Sequence, residues 1–187
     1  MSRTIDFNKE EIIDKAMQVF WEKGYDGTSL KDLQSATGLL KGSLYNTFKS
    51  KENLFLLCLN KYGQHSQGFH YKSGDPGEYL KSFFKRLVSE GIKEDFTKGC
   101  LIMNSCLEFS NDQGSLSQSS KALFDATEHN LKNVTTKIVA DSKEAKRIGA
   151  ILISAAFSIR EISKFRKDRA FLKQIANNAL KEVELSI

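Results

Sequence analysis

Residues Gly38 to Leu54 read GLLKGSLYNTFKSKENL, with three lysines, no carboxylate before Glu52, and Tyr45, Asn46 and Thr47 side by side. Wound as a helix at about 100° per residue, Leu44 and Phe48 share one face while Gly42 and Asn46 point the opposite way, flanked by Ser43 and Tyr45. The outward side is therefore small, uncharged and able to hydrogen-bond. Such a side fits the DNA major groove, where Asn reads base edges and glycine permits close approach. Lys41, Lys49 and Lys51 bracket it and can neutralise phosphates on either wall. A solvated surface helix in a generic bundle is the alternative that composition alone leaves open.

The segments on either side favour the groove. Asn8, with Glu11 three residues on, caps a first helix whose apolar stripe is Ile12, Ala16, Val19 and Phe20, and Gly24 ends it. Ser29 with Asp32 starts a short second helix that turns Leu30, Leu33 and Ala36 inward. Thr37-Gly38 breaks that helix after about two turns. A third helix over Leu40 to Phe48 follows at helix-turn-helix spacing, and Ser50 caps a long fourth one.

Downstream the same signals predict five more helices. Asp75-Pro76-Gly77-Glu78 starts one that carries Tyr79, Leu80, Phe83, Phe84 and Leu87. Another covers Cys100 to Phe109. Ser115 opens a long helix through Val139, Asp141 one that runs to Phe165, and Asp168 the last, to Leu185. No segment alternates as a strand does. The sequence predicts an all-α fold of about nine helices, with a three-helix head at 1–48 and a larger helical bundle at 49–187, of which 49–73 is the linking helix.

Bulk composition excludes several classes. With 40% hydrophobic and 27% charged residues, the chain can bury a core as a soluble domain does. Its longest apolar run, Ile151 to Phe157, is too short for a bilayer, so no membrane partner is expected. MSRTIDFNKEE at the N-terminus lacks the apolar core of a secretion signal, which points to the cytoplasm. Cys58, Cys100 and Cys106 form no C-x-x-C pair, and the three histidines sit beside no cysteine at ligand spacing, so neither a disulfide framework nor a metal is expected. The net charge of +5 says little, because residues 1–52 hold eight basic and eight acidic side chains. No nucleophile elbow, phosphate loop or carboxylate pair supports an enzyme.

Residues 9–54 resemble the N-terminal domain of TetR-type (tetracycline-repressor-like) transcriptional regulators. The resemblance is carried by Phe20, Gly24-Tyr25, Thr28-Ser29, Gly38, Lys41-Gly42-Ser43-Leu44-Tyr45, Phe48-Lys49-Ser50-Lys51-Glu52 and Leu54. Beyond that head it rests mainly on helix order, with Gly99-Cys100-Leu101 and Glu108 similar to one branch. It implies an all-helical homodimer that binds a palindromic double-stranded operator and leaves it when a small hydrophobic or electrophilic effector enters the larger domain. By position, Thr28, Ser29, Lys41, Gly42, Ser43, Tyr45, Asn46, Thr47 and Lys49 match DNA-contacting residues, with Tyr45 on a phosphate and Lys49 on the backbone. Gln34, Leu40 and Thr47 depart from the pattern, Leu40 because a capping Ser or Thr is usual there. No cofactor is implied. A DNA-binding protein without an effector remains the alternative, and a helical enzyme a more distant one.

For an effector, the candidate lining residues are Cys58, Tyr62, Phe84, Cys100, Met103, Asn104, Phe124 and Phe157, each of which also suits a plain core position. Cys100, preceded by Lys98, could sense electrophiles or oxidants, or could simply be buried. Ala150, Ser154 and Ser158 recur every four residues and, with Phe157, Leu172, Ile175 and Ala179, form a candidate dimer seam; packing within one subunit is the alternative. Arg160, Lys164, Arg166, Lys167 and Arg169 form the densest basic cluster, which suits a solvated helix end or, alternatively, an anion.

Overall fold

Capping chemistry places the helices. The computed structural model describes residues 8–67 and 70–187, and among these it contains nine α-helices and no strand. In chain order they are α1 (Lys9–Lys23), α2 (Leu30–Thr37), α3 (Lys41–Phe48), α4 (Lys51–Gln67), α5 (Pro76–Gly91), α6 (Leu101–Glu108), α7 (Ser115–Thr135), α8 (Ser142–Ile162) and α9 (Arg169–Leu180). Residues 1–7, on which the leader argument partly rests, lie outside the described residues.

The starts follow the sequence closely. Ser29 and Asp32 form a reciprocal capping box at α2. The carboxylates of Asp75, Asp141 and Asp168 each accept a first-turn N–H. At α1 the Asn8 side chain accepts from Glu10 N–H, not from Glu11.

The ends are shorter than expected. α7 stops at Thr135 because Lys137 and Ile138 bond three residues back, to Val134 and Thr135, which tightens the chain into a turn. α8 stops at Ile162 for the same reason, as Lys164 and Phe165 bond to Glu161 and Ile162. After Leu180 the last helix becomes a short 3-10 turn, Lys181–Val183, and Glu184 turns left-handed at φ 57°.

Two apolar cores follow. The first joins α1 to α4 through Ile12, Ala16, Phe20, Leu33, Leu44, Phe48 and Phe55, then continues into Leu101 and Ile102 of α6 and Phe109 beyond it. Phe20, Phe48 and Phe55 are fully buried, each contributing about 1.5–3 kcal/mol. The second core gathers Leu80 and Phe84 of α5, Leu131 of α7, Ile148, Leu152 and Ile159 of α8, and Leu172 and Leu180 of α9. Phe157 packs against both, so the space between them is where α4, α5, α6, α7 and α8 converge. No described helix is long and apolar enough to cross a membrane.

Candidate functional site

The outer face of α3 is as its periodicity demands. Leu44 and Phe48 are buried at 3% and 1% exposure. Lys41, Gly42, Tyr45, Asn46 and Lys49 are exposed, while Ser43 and Thr47 are half-buried at the edges. A β-carbon placed on Gly42 would meet nothing within 4 Å. The Lys41 ammonium lies 6.0 Å from the Tyr45 ring centroid. Lys49 ends α3 at φ 70°, and its ammonium donates to Asn46 O at 3.0 Å. The Lys51 ammonium is engaged differently, sitting 4.4 Å above the Tyr25 ring. Leu40, at the N-cap of α3, makes no side-chain cap and is 75% exposed.

Two residues at the start of α2 serve the turn. Thr28 is 1% exposed and its hydroxyl donates to Gly24 O at 2.6 Å, so it is not available to a groove as the resemblance implied. Ser29 is exposed, but its hydroxyl donates to Asp32 Oδ2 at 2.6 Å and accepts Asp32 N–H at 3.1 Å. Lys23 reaches the other Asp32 oxygen at 2.6 Å. That bond, followed by those from Ser29, holds the Asp32 carboxyl well below the usual carboxylate range.

Where the two cores meet lies a cavity of about 150 Å³. Its wall includes Trp21 of α1, Tyr62 of α4, Phe83, Arg86 and Glu90 of α5, Cys100 at the start of α6, Asn130 of α7, and Phe157 and Arg160 of α8. Trp21 meets Tyr62 edge-on at 5.0 Å between ring centroids, and the Tyr62 hydroxyl donates to Cys100 Sγ at 3.8 Å. Burial, then the neighbouring Cys100, pushes the Tyr62 hydroxyl pKa up, so it stays neutral. Cys100 is 6% exposed. The preceding Lys98 donates to Gln18 Oε1 at 3.0 Å.

Of the expected lining residues, Tyr62, Cys100 and Phe157 reach this cavity and five do not. Cys58 is fully buried in the first core, with its thiol directed at Ile13 O at 3.4 Å and burial holding its pKa far above the ordinary thiol value. Phe84 is fully buried in the second core, and Met103 packs against the first. Asn104 lines a separate cleft between α1 and α6 and donates to Lys98 O at 2.8 Å. Phe124 stacks behind Phe157 at 5.1 Å. The charged part of the wall, Arg86, Glu90 and Arg160, was missed or misplaced by the sequence. Arg160 belongs to the basic cluster expected in solvent, yet it turns inward to Glu90.

Comparison with known proteins bears on the α3 face first. The family model for bacterial regulatory proteins of the tetR family matches residues 12–58, from α1 into α4. The HTH-type transcriptional regulator YezE of Bacillus subtilis (strain 168) is 31% identical over 139 residues, covering 70% of this chain and 72% of YezE. The chain belongs to the TetR family. The HTH-type transcriptional repressor ComR of Escherichia coli (strain K12) is 30% identical over 131 residues, 67% of this chain, and the match spans 62% of ComR. Among solved structures, the TetR family regulator CifR, as a cysteine mutant in complex with 26-bp operator DNA, superposes with a TM-score of 0.81 at 23% identity, over 96% of this chain and 98% of that one. This is a likeness of fold extending well beyond the head.

Helices α8 and α9 of this TetR-family chain present a second surface. Ala150, Ser154 and Ser158 are exposed in one row, and with Ile151, Ile175 and Asn178 they line a shallow open groove. Two residues expected at a dimer seam, Leu172 and Phe157, do not line this groove. Leu172 is fully buried within its own subunit and Ala179 is 2% exposed at the groove floor. Phe157 faces the cavity.

Proposed function

We propose that the chain is a homodimeric, cytoplasmic transcriptional repressor whose α3 enters the major groove of a palindromic operator and whose central cavity takes a small-molecule effector that releases the DNA. Gly42 carries this reading. Glycine inside a helix costs about 1 kcal/mol relative to alanine, and nothing in the protein's own fold occupies the space beside it. Open space on a face with Tyr45 and Asn46 exposed, on a helix that carries no acidic residue, suits a surface that receives something closely. In this reading Asn46, with Ser43 and Thr47 beside it, meets base edges, while Lys41, Tyr45 and Lys49 hold phosphates.

Support also comes from relatives, since ComR is a transcriptional repressor and CifR occurs with operator DNA. The small residues on α8 allow a second copy to approach closely, and two-fold pairing sets recognition helices about 34–36 Å apart, one DNA turn.

Selection of bound fragments from random DNA with the purified protein tests the proposal, and a palindromic consensus is expected. Asn46→Ala then relaxes preference at particular base pairs. Lys41→Ala and Lys49→Ala weaken all sequences and lower the salt slope by about one. Fragments enriched no further than in a mock selection would overturn it.

A further inference from the structure

The central cavity sets one carboxylate against two guanidiniums. Glu90 Oε1 lies 3.8 Å from Arg86 Nε, and Oε2 lies 3.1 Å from Arg160 Nη2. All three side chains are at least two-thirds withdrawn from solvent, at 32%, 27% and 21% exposure for Glu90, Arg86 and Arg160. Among the described residues, the groups around the trio add no net negative charge. Tyr62 is held neutral by burial, and burial likewise lowers the His70 pKa toward the neutral imidazole. Glu161 bonds the Cys100 N–H at 3.2 Å through one oxygen and Lys164 at 3.2 Å through the other. His65 is exposed at the rim. The trio therefore leaves one positive charge beside an apolar wall, an arrangement that is costly unless an anion completes it.

We propose that this cavity binds a small organic monocarboxylate, its carboxylate completing the Arg86–Glu90–Arg160 cluster and its flat apolar body lying against Trp21, Phe83 and Phe157. Guanidinium groups match a planar carboxylate through paired N–H bonds, which favours this class over spherical anions. The Trp21 indole N–H and His70 Nε2 are buried without a hydrogen-bond partner among the described residues, and offer contacts to a second polar group on the ligand. A volume near 150 Å³ limits the body to about one ring, below the ~300–1,000 Å³ that drug-sized ligands occupy. The proposal deepens the regulator reading by naming the effector's chemical class, but its test requires no DNA.

Trp21 is the only tryptophan of the chain and lines the cavity, so its fluorescence responds to occupancy there, and the arginine variants tie the response to this site. Full-length protein titrated with benzoate, phenylacetate and hexanoate is expected to show a saturable change in Trp21 emission and a raised Tm. The isosteric amides should bind at least tenfold more weakly. Arg86→Gln and Arg160→Gln each remove one cation but leave Glu90 paired with the other, so the fold persists while benzoate affinity falls tenfold or more. Glu90→Gln removes the competing anion and is expected to tighten benzoate. Amides that bind as well as the acids, no response to any of the three acids at millimolar concentration, or a benzoate affinity unchanged in all three variants would each overturn the proposal. Operator release is measured separately: benzoate that binds with the expected selectivity but leaves operator affinity unchanged supports the cavity assignment and counts only against the effector role.

Discussion

Glu108 accepts the backbone N–H of Tyr25 at 3.0 Å, which fastens the last turn of α6 to the turn between α1 and α2. Its second oxygen accepts Asp26 N–H at 2.8 Å. Gly24 makes room for this clamp, since a β-carbon there would come within 3.1 Å of both carboxylate oxygens. α6 begins at the cavity wall with Cys100 and Ile102 and ends on the DNA-binding head, about 12 Å away at 1.5 Å per residue. A displacement at the cavity therefore has a stiff route to the turn that orients α2.

Glu108→Ala removes both bonds and is expected to cost about 1–2 kcal/mol, because the freed amides lie near the surface and regain water. Effector-induced operator release should weaken more than operator binding itself. Parallel Tm and anisotropy measurements with and without effector check both effects. A Tm equal to wild type together with full release would show that the clamp is idle.

Gly24 is the stricter partner. Its φ of 74° with ψ of 174° lies in a region that glycine alone occupies comfortably, so Gly24→Ala is expected to lose about 1–3 kcal/mol from backbone strain before any crowding of Glu108. Urea denaturation is the measurement, with the loss appearing as a lower midpoint at unchanged slope.

Asp32 gives the head an acid limb. Its pKa is lowered by Lys23 and Ser29 from an ordinary 3.8, so the sign is that of a depressed carboxylate. The stabilisation is complete above the ordinary value and is lost as pH falls below it toward the folded value. The Tm difference between wild type and Asp32→Asn should thus be constant between neutral pH and about pH 5, then shrink on further acidification. A difference that grows on acidification would contradict the assignment.

Much of this was legible in the sequence because local rules governed it. Ser29 with Asp32 and Asp75 with Glu78 fixed helix starts through bonds within four residues, and the Leu44/Phe48 against Gly42/Asn46 division is a matter of period alone. The cavity was less legible, because its charges come from helices distant in the chain: Arg86 and Glu90 from α5 meet Arg160 from α8. Arg160 sits in a run with Lys164, Arg166 and Lys167, and only the tertiary fold turns it inward to Glu90. Thr28 misled for the opposite reason. A threonine at the start of a helix suits a phosphate as well as it suits a turn, and here Gly24 O claims its hydroxyl.

The α8 row offers a sharp test of pairing. Ser154 is exposed, and among the described residues its hydroxyl donates within its own helix, to Ala150 O at 2.8 Å. Ser154→Arg therefore should leave the isolated subunit intact, with an unchanged helical signal. In a two-fold interface the large side chain enters twice, each copy costing about 1–3 kcal/mol of overpacking. Sedimentation is expected to move from dimer to monomer, and operator affinity to fall with it. A variant that sediments as wild type would place the interface elsewhere.

Gly42→Ala separates folding from recognition, because the two effects have opposite signs. The added methyl meets no atom within 4 Å in the free protein, and alanine is the better helix former by about 1 kcal/mol, so the Tm should rise. If α3 approaches the base edges through this space, as proposed, operator affinity should fall, by about tenfold if the added crowding costs about 1.4 kcal/mol. Binding to non-specific DNA, which the proposed reading assigns to Lys41 and Lys49 at the phosphates, should change little. Thermal denaturation paired with anisotropy on operator and scrambled duplexes reads all three. A rise in Tm with operator affinity intact would mean that the open space beside Gly42 does not face the groove.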